Sequence, residues 1–412
     1  MKYNIWRDCP KKPITELLSF IVDNRGKTVP TTKDGYKLIA TNCVTNRTLF
    51  PTYEKIRYLS EETYQTWFRA HPMPGDILFV NKGTPGRVCM VPDPVDFCIA
   101  QDMIALRADN KKIYNKYLFA VLRSPIIQQQ IYNTNVGDVI PHFKKQFLDQ
   151  LLIPIPERSI QEFIGDFYYN ISYKIELNQQ INNNLEQQAQ MIFKSWFVDF
   201  EPFNDEDFID SELGKIPNGW EISNLTDIAE YLNGLAMQKF RPLDGEIGIP
   251  VMKIKELRQG GCDNNSDLCS PSIKSDYIIH DGDVIFSWSG SLLVDFWCGG
   301  VCGLNQHLFK VTSSKYDKWF YYAWTKHHLE RFIAVAADKA TTMGHIKRDE
   351  LAKAEVLIPN EADYNRIGTL LQPIYDLIIS NRIENKKLAE TRDSLLPKLM
   401  NGEIDMSEVD YE

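Results

Sequence analysis

Several features are scarce in this chain. No apolar run of about 18 residues occurs, so no membrane-spanning helix is expected. The opening residues, MKYNIWRDCPKK, hold no apolar core, which argues against a secretion signal. The eight cysteines (Cys9, Cys43, Cys89, Cys98, Cys262, Cys269, Cys298, Cys302) are scattered, and none forms Cys-x2-Cys. Cys298 and Cys302 have no matching Cys/His pair at ligand spacing. Reduced thiols in a cytoplasmic protein, and no metal, are the expectation. Asn46-Arg-Thr and Asn170-Ile-Ser match a glycosylation acceptor, but without a secretion signal the match carries no weight.

Catalytic signatures are equally thin. There is no Gly-x4-Gly-Lys-Ser/Thr phosphate loop, no Gly-x-Ser-x-Gly elbow and no His-Glu-x-x-His. An amino-methyltransferase would need a Gly-rich cofactor loop and an Asn/Asp-Pro-Pro-aromatic turn; neither occurs. Pro92-Asp93 with Asp109-Asn-Lys111 loosely fits a Mg²⁺ nuclease, but the pattern is short and frequent by chance. The chain is therefore expected not to be an enzyme and to carry no cofactor of its own.

What is present is ordinary in bulk and unusual in order. The 412 residues are 43% hydrophobic and 25% charged, enough apolar surface for more than one core. The order shows a long duplication. His142-Phe-Lys-Lys matches His345-Ile-Lys-Arg, and LLIPIP ending at Pro156 matches EVLIP ending at Pro359, at an offset of 203. The same offset continues through Gly165/Gly368, Asn178/Asn381 and Leu185/Leu388. PGDILFV at Pro74–Val80 matches DGDVIFS at Asp281–Ser287, and Gln101 matches Gln306.

Each copy reads as a β-rich part followed by a long helix. Runs such as ILFV and VIFSW, broken by Gly, Pro, Asn and Asp, predict short strands. Gln161–Trp196 has no proline and predicts a helix about 54 Å long. Its heptad seams are Ile164, Ile171, Asn178, Leu185, Ile192 and Tyr168, Ile175, Asn182, Ala189, Trp196. The second copy repeats them with polar breaks at Asn381 and Asn385. Pro373 is expected to kink the second helix or displace its first turns. The fold class expected is α+β: two β-rich domains in a pseudo-two-fold repeat, separated by two long antiparallel coiled-coil helices. The boundaries expected are 1–155, 156–200 for the central helix, 201–212 for an acidic linker, 213–358, and 359–412 for the last helix and tail.

Charge follows this division. The whole chain carries −9. Residues 1–155 carry 21 basic and 14 acidic side chains, whereas 156–212 carry 3 and 12. Residues 213–358 hold 16 and 18, and 359–412 hold 6 and 11. The acidity lies in the helices and linker. A nucleic-acid reader needs positive charge on one surface only.

Several stretches carry a family resemblance. They are ELGKIPNGWEISNLTDIA (212–229), GDVIFSWSG (282–290), GLNQHLFKV (303–311) and TTMGHIKRDELAKAEVLIP (341–359). The helix endings MIFKSWFVDFEP and SLLPKLMNGEI add to them. In this order they resemble the specificity subunit of type I restriction–modification systems over nearly the whole chain. The first domain departs most, since IWRDCPKKPITELLSF lacks the LGxIPxGW opening. The resemblance implies a non-catalytic subunit with a target recognition domain at each end, each reading half of a bipartite double-stranded DNA site. It implies helices that set the gap and dock two methyltransferase subunits, which carry S-adenosylmethionine. Restriction/translocase subunits using ATP and Mg would join that core. Two other readings fit the residues: the recognition part of a fused restriction–methylation enzyme, and a non-DNA adaptor.

Base edges favour Arg, Lys, Asn and Gln; phosphates favour Lys, Arg, Ser/Thr and helix N-termini. The DNA-binding residues expected in the first copy are Arg25, Lys27, Lys82, Arg87, Gln101, His142, Lys144 and Lys145. In the second they are Gln238, Lys239, Arg241, Lys253, Lys255, Ser287, Ser289, Gln306, His307, His345, Lys347 and Arg348. Phe193, Trp196, Phe197 and Phe200, with Leu396 and Leu399, are the expected partner-docking anchors.

Overall fold

The computed structural model describes residues 3–24, 26, 28–134, 141–338 and 348–404. The chain divides into two compact units, Met1–Leu177 with Lys387–Glu412, and Asn178–Lys386. We call them unit 1 and unit 2. Both divisions fall inside long helices, Arg158–Phe197 and Glu361–Met400.

The units repeat one topology. Unit 1 has a four-stranded antiparallel sheet in the order Leu18–Val22, Met103–Ala108, Ile77–Val80, Val88–Met90. Unit 2 has Glu230–Asn233, Leu308–Thr312, Val284–Ser287, Leu293–Phe296 in the same order. A second sheet in each unit contains one parallel pair: Tyr36–Ile39 with Phe97–Ile99, and Ile249–Met252 with Cys302–Leu304. The strand Ile77–Val80 is buried throughout. Ile77 and Phe79 enter one core cluster while Leu78 and Val80 enter another, so both faces are covered. That is why its sequence is an unbroken apolar run.

The matched PGD and DGD turns have a shared mechanism. Gly75 and Gly282 hold φ of +82° and +87°, where a Cβ would be strained. The carboxylates of Asp76 and Asp283 accept from the backbone N–H three residues earlier, at Met73 and His280, each at 2.9 Å. Arg107 and Lys310 then pair with these carboxylates at 2.9 Å.

Each domain is closed by a strand pair just before its long helix. Lys11–Pro13 pairs with Leu152–Pro154, and Glu221–Asn224 pairs with Glu355–Ile358. The proline-ended aliphatic runs of the sequence are these closing strands. In unit 1, Lys11–Pro13 serves where the opening motif is missing. In unit 2 the strand Gly214–Pro217 forms a hairpin with Phe208–Ser211, inside the acidic stretch. Trp220 of the IPNGW motif is buried, and its indole N–H donates to Asp363 in the first turn of the second helix at 2.9 Å.

The long helices supply a face to each core. In unit 1, Ile164 and Tyr168 of the first helix join Leu396, Leu399 and Met400 of the second. Gly165 lies here, where a Cβ would stand 2.6 Å from the backbone nitrogen of Tyr117. In unit 2, Asn178 donates to Asn385 at 2.8 Å and Asn381 to Asn182 at 2.9 Å, so the helices there run antiparallel. One predicted seam needs correction: Ser172 and Phe193 are buried rather than Ile171 and Ile192. A straight helix drifts from a strict heptad, and the buried stripe follows the drift. Of the two outcomes expected at Pro373, the displaced first turns are corrected, because the helix starts at Glu361 and runs on through the proline. Its ring removes a single N–H from the ladder, and the surrounding packing tolerates the loss.

The Asn182–Asn381 bond is buried, and each asparagine leaves the other satisfied. Asn381→Leu strands the Asn182 carbonyl and should cost about 1–3 kcal/mol in equilibrium denaturation. The double variant Asn182→Leu/Asn381→Leu should recover most of that loss. A double variant no more stable than the single one would contradict this account.

Candidate nucleic-acid interface

In unit 1 three segments meet at one end of the main sheet. Strand Ile77–Val80 runs out at Asn81, whose N–H donates to the Asp102 carbonyl at 2.7 Å. The Asn81 carbonyl accepts from Phe143 N–H at 2.7 Å, and its side-chain amide donates to the Phe143 carbonyl at 3.1 Å. Lys82 and His142 face each other in an isolated β-bridge. Gln101 and Asp102 take positive φ of 43° and 22°, a strained turn of the kind found at ligand sites. Around this corner opens a cleft of about 550 Å³, with Arg69, Asn81, Lys82, Gln101 and His142 in its lining.

The corner is braced from below. Asn24 is buried; its amide donates to the Ala70 and Ile99 carbonyls, and its side-chain oxygen accepts from Arg69 N–H at 2.9 Å. Gln101 donates to the Thr28 hydroxyl at 3.2 Å. Asn81 Oδ1 is buried without a hydrogen-bond partner. Thus Lys82, Gln101 and His142 are brought together as cleft residues. Lys144 is exposed beside them, and Lys145 pairs with Asp23, another lining residue, at 3.2 Å. Arg87 is half-buried and does not line the cleft. Arg25 and Lys27 lie outside the described residues, as do His345 and Lys347.

Unit 2 has a different cluster at the matching corner. The Gln306 amide nitrogen lies 3.4 Å from His307 Nε2, and the Ser289 hydroxyl lies 3.2 Å from Nδ1 of the same ring. Ser287 and Ser289 require correction as contact residues: their side chains are 0% and 2% exposed. They support the corner from inside. Gln238, Lys239 and Arg241 are exposed along one loop. Lys253 pairs with Asp267 at 2.5 Å and Lys255 with Asp263 at 3.5 Å, so both are partly neutralised. Arg348 donates to the Tyr231 carbonyl at 3.0 Å, a brace from outside the main sheet.

Sequence reasoning missed Arg69, Asn24 and Asn81, since nothing in their spacing marks them. It also missed Leu243 and Ile247, exposed at 72% and 90%. Their loop is held by Glu246, which accepts from Leu243 N–H, Ser270 and Ser272.

The expected docking anchors are corrected as a group. Phe193, Trp196 and Phe197 are buried in the core of unit 2, with Phe193 stacked on Phe197 at 4.9 Å. Phe200 is half-buried against Trp220. Leu396 and Leu399 are buried in the core of unit 1. All six give their apolar area to this chain. Among the described residues no group of three His, Cys, Asp or Glu is placed to hold a metal, and no helix is long and apolar enough to cross a membrane.

Comparison with known proteins places this architecture. The family model of the type I restriction modification DNA specificity domain matches twice, over residues 15–187 and 217–390. The MjaIX specificity subunit of Methanocaldococcus jannaschii is 29% identical over 72% of this chain and 71% of its own length. The HindI specificity subunit of Haemophilus influenzae is 21% identical over 80% of this chain and 86% of its own. The crystal structure of a type I restriction–modification S subunit from M. genitalium shares the fold with a TM-score of 0.53 at 14% identity, over 95% of this chain and 96% of that one. The chain belongs to the family of type I restriction–modification specificity subunits, the non-catalytic components of those systems.

Proposed function

We propose that this chain recognises a bipartite DNA sequence, with one half read by each β-rich domain, 1–155 and 213–358. The observation that carries this reading is the double family match, one match to each copy of a repeated topology. The long helices then set the gap between the halves and offer docking faces to two methyltransferase subunits, which restriction subunits join. With the aromatic anchors buried, the docking face is better sought on the outward side of the helices. Ile181, Met191, Leu370 and Leu377 are exposed there at 40–64%.

In the first domain the cleft is the reading site. Gln101 presents an amide suited to a base edge, and Lys82 presents an exposed ammonium suited to phosphate. In the second domain the exposed Gln238, Lys239 and Arg241 take the same roles beside Leu243 and Ile247, whose apolar groups suit a thymine methyl.

Two measurements test this. Replacing residues 213–358 with the equivalent domain of another specificity subunit, then mapping adenine methylation made by the complete complex, should change one half of the site and keep the other. A change in both halves, or none, would contradict it. Lys82→Ala should lower the slope of log K against log salt by about 1 in duplex titrations, while leaving the methylated sequence unchanged. An unchanged slope would remove Lys82 from the phosphate contacts.

A further inference from the structure

Four charged side chains from four elements of unit 2 converge on one point. Glu186 comes from the first long helix and Arg382 from the second. Asp295 comes from strand Leu293–Phe296, and Lys326 from helix Lys318–His327. Arg382 Nη1 donates to Asp295 Oδ1 at 2.5 Å, and Nη2 donates to Glu186 Oε1 at 2.9 Å. The other oxygen of Glu186 accepts from Lys326 Nζ at 2.5 Å. Lys326 also donates to the Tyr322 hydroxyl at 3.0 Å.

An aromatic layer joins three of the same elements. Phe296 stacks on Tyr322 at 3.9 Å, and Tyr375 of the second long helix meets Tyr322 at 5.1 Å and Phe296 at 5.6 Å. The four charged side chains are only 24–27% exposed. An ion cluster removed from water to this degree adds little net stability over an apolar contact of the same size. What it adds is direction. The planar guanidinium fork holds two carboxylates at a fixed angle, and any shift of the strand against the helices breaks a charged bond.

Unit 1 is joined differently. Arg123 occupies the position that matches Lys326 in the repeat, and it donates to the Thr45, Thr48 and Val88 carbonyls. Its guanidinium lies over the Phe119 ring at 4.4 Å. Unit 1 ties its domain to the first long helix by one ion pair, Lys116 with Asp166 at 2.7 Å, whereas in unit 2 a single charge network joins four elements, both long helices among them.

We propose that Glu186, through Arg382 and Lys326, is a positioning residue that fixes the second reading domain at one orientation on the helix pair. In consequence it restricts the protein to one gap length between the half-sites. This rests on the DNA-reading function proposed above. An aromatic layer alone is slippery, because stacked rings slide at little cost. The ion cluster supplies the orientation that the stacking lacks.

The test uses the full chain with its methyltransferase subunits and a plasmid library in which the gap varies by one or two base pairs around the native length. Wild-type protein should methylate a single gap. Glu186→Gln keeps the shape and removes the charge, and it should raise methylation at neighbouring gaps by about tenfold relative to the native gap, with both half-site sequences unchanged. Lys326→Met removes one arm only and should give a smaller broadening. A uniform loss at every gap in both variants would mean that the cluster only stabilises the fold, and would overturn the proposal. A single gap at wild-type efficiency in both would overturn it equally. If wild-type protein methylates no bipartite site at all, the DNA-reading function fails rather than the positioning role alone.

Discussion

Neither β-rich domain completes its core alone. In unit 1 the face of the sheet that carries Ile77 and Phe79 is sealed by Ile164 and Tyr168 of one long helix and by Leu396, Leu399 and Met400 of the other. In unit 2 the sheet face of Phe286 and Phe309 shares its core with Ala189, Phe193 and Trp196 from the first helix and Ile367, Leu371 and Tyr375 from the second. Each domain thus takes apolar surface from both long helices, and for unit 1 the second of them lies more than two hundred residues further along the chain. A helix that must satisfy a domain core along part of its length has little freedom to rotate there. Domain orientation and helix register become a single constraint within each unit.

This constraint explains what the aromatic helix endings do. A cluster such as Phe193, Trp196, Phe197 and Phe200 looks, in sequence, like surface anchors for a partner. Apolar periodicity reports that one face of a helix is covered but does not say by what. The covering body is the rest of unit 2, including Trp220, Trp324 and Phe320. The same blindness applies to Ser287 and Ser289. Both are polar residues in a Gly- and Ser-rich stretch, and both lie behind the main sheet's end rather than on its surface. A pairing that spans long sequence distance is needed to place them, and spacing holds no record of it.

Other features were legible because they are local or duplicated. The PGD and DGD turns can be read from three residues, since a positive-φ glycine followed by a capping carboxylate is a short-range device. The first long helix follows from its lack of proline, and the second, which contains Pro373, from the repeated seam. The closing strands follow from LLIPIP and EVLIP, where an aliphatic run ends in a residue that cannot continue the ladder. The parallel pairs, Tyr36–Ile39 with Phe97–Ile99 and Ile249–Met252 with Cys302–Leu304, were not legible. About fifty to sixty residues separate their members, and nothing in the runs themselves favours a parallel partner. Of the cleft corner in unit 1, Gln101 and His142 were visible through the repeat, whereas Asn24 and Asn81 are fixed only by tertiary hydrogen bonds.

The duplicated chain has kept its topology and changed its joints. Matched positions carry the same backbone task in both units: Asp76 and Asp283 cap the same turn, and Gly165 and Gly368 both sit where a long helix passes close to its domain. Side chains at the helix–domain joint have diverged. In unit 1 one ion pair, Lys116 with Asp166 at 2.7 Å, ties the domain to the first long helix, while Arg123, at the position that matches Lys326, bonds carbonyls and a ring of its own domain. Unit 2 uses paired charges and an asparagine ladder. Carbonyl and ring contacts tolerate a change of angle, because a carbonyl accepts over a broad range of directions. Paired charges with both partners occupied tolerate much less. On the DNA-reading function proposed above, the joint in unit 2, where one charge network ties four elements, is the one suited to hold its domain at a fixed angle.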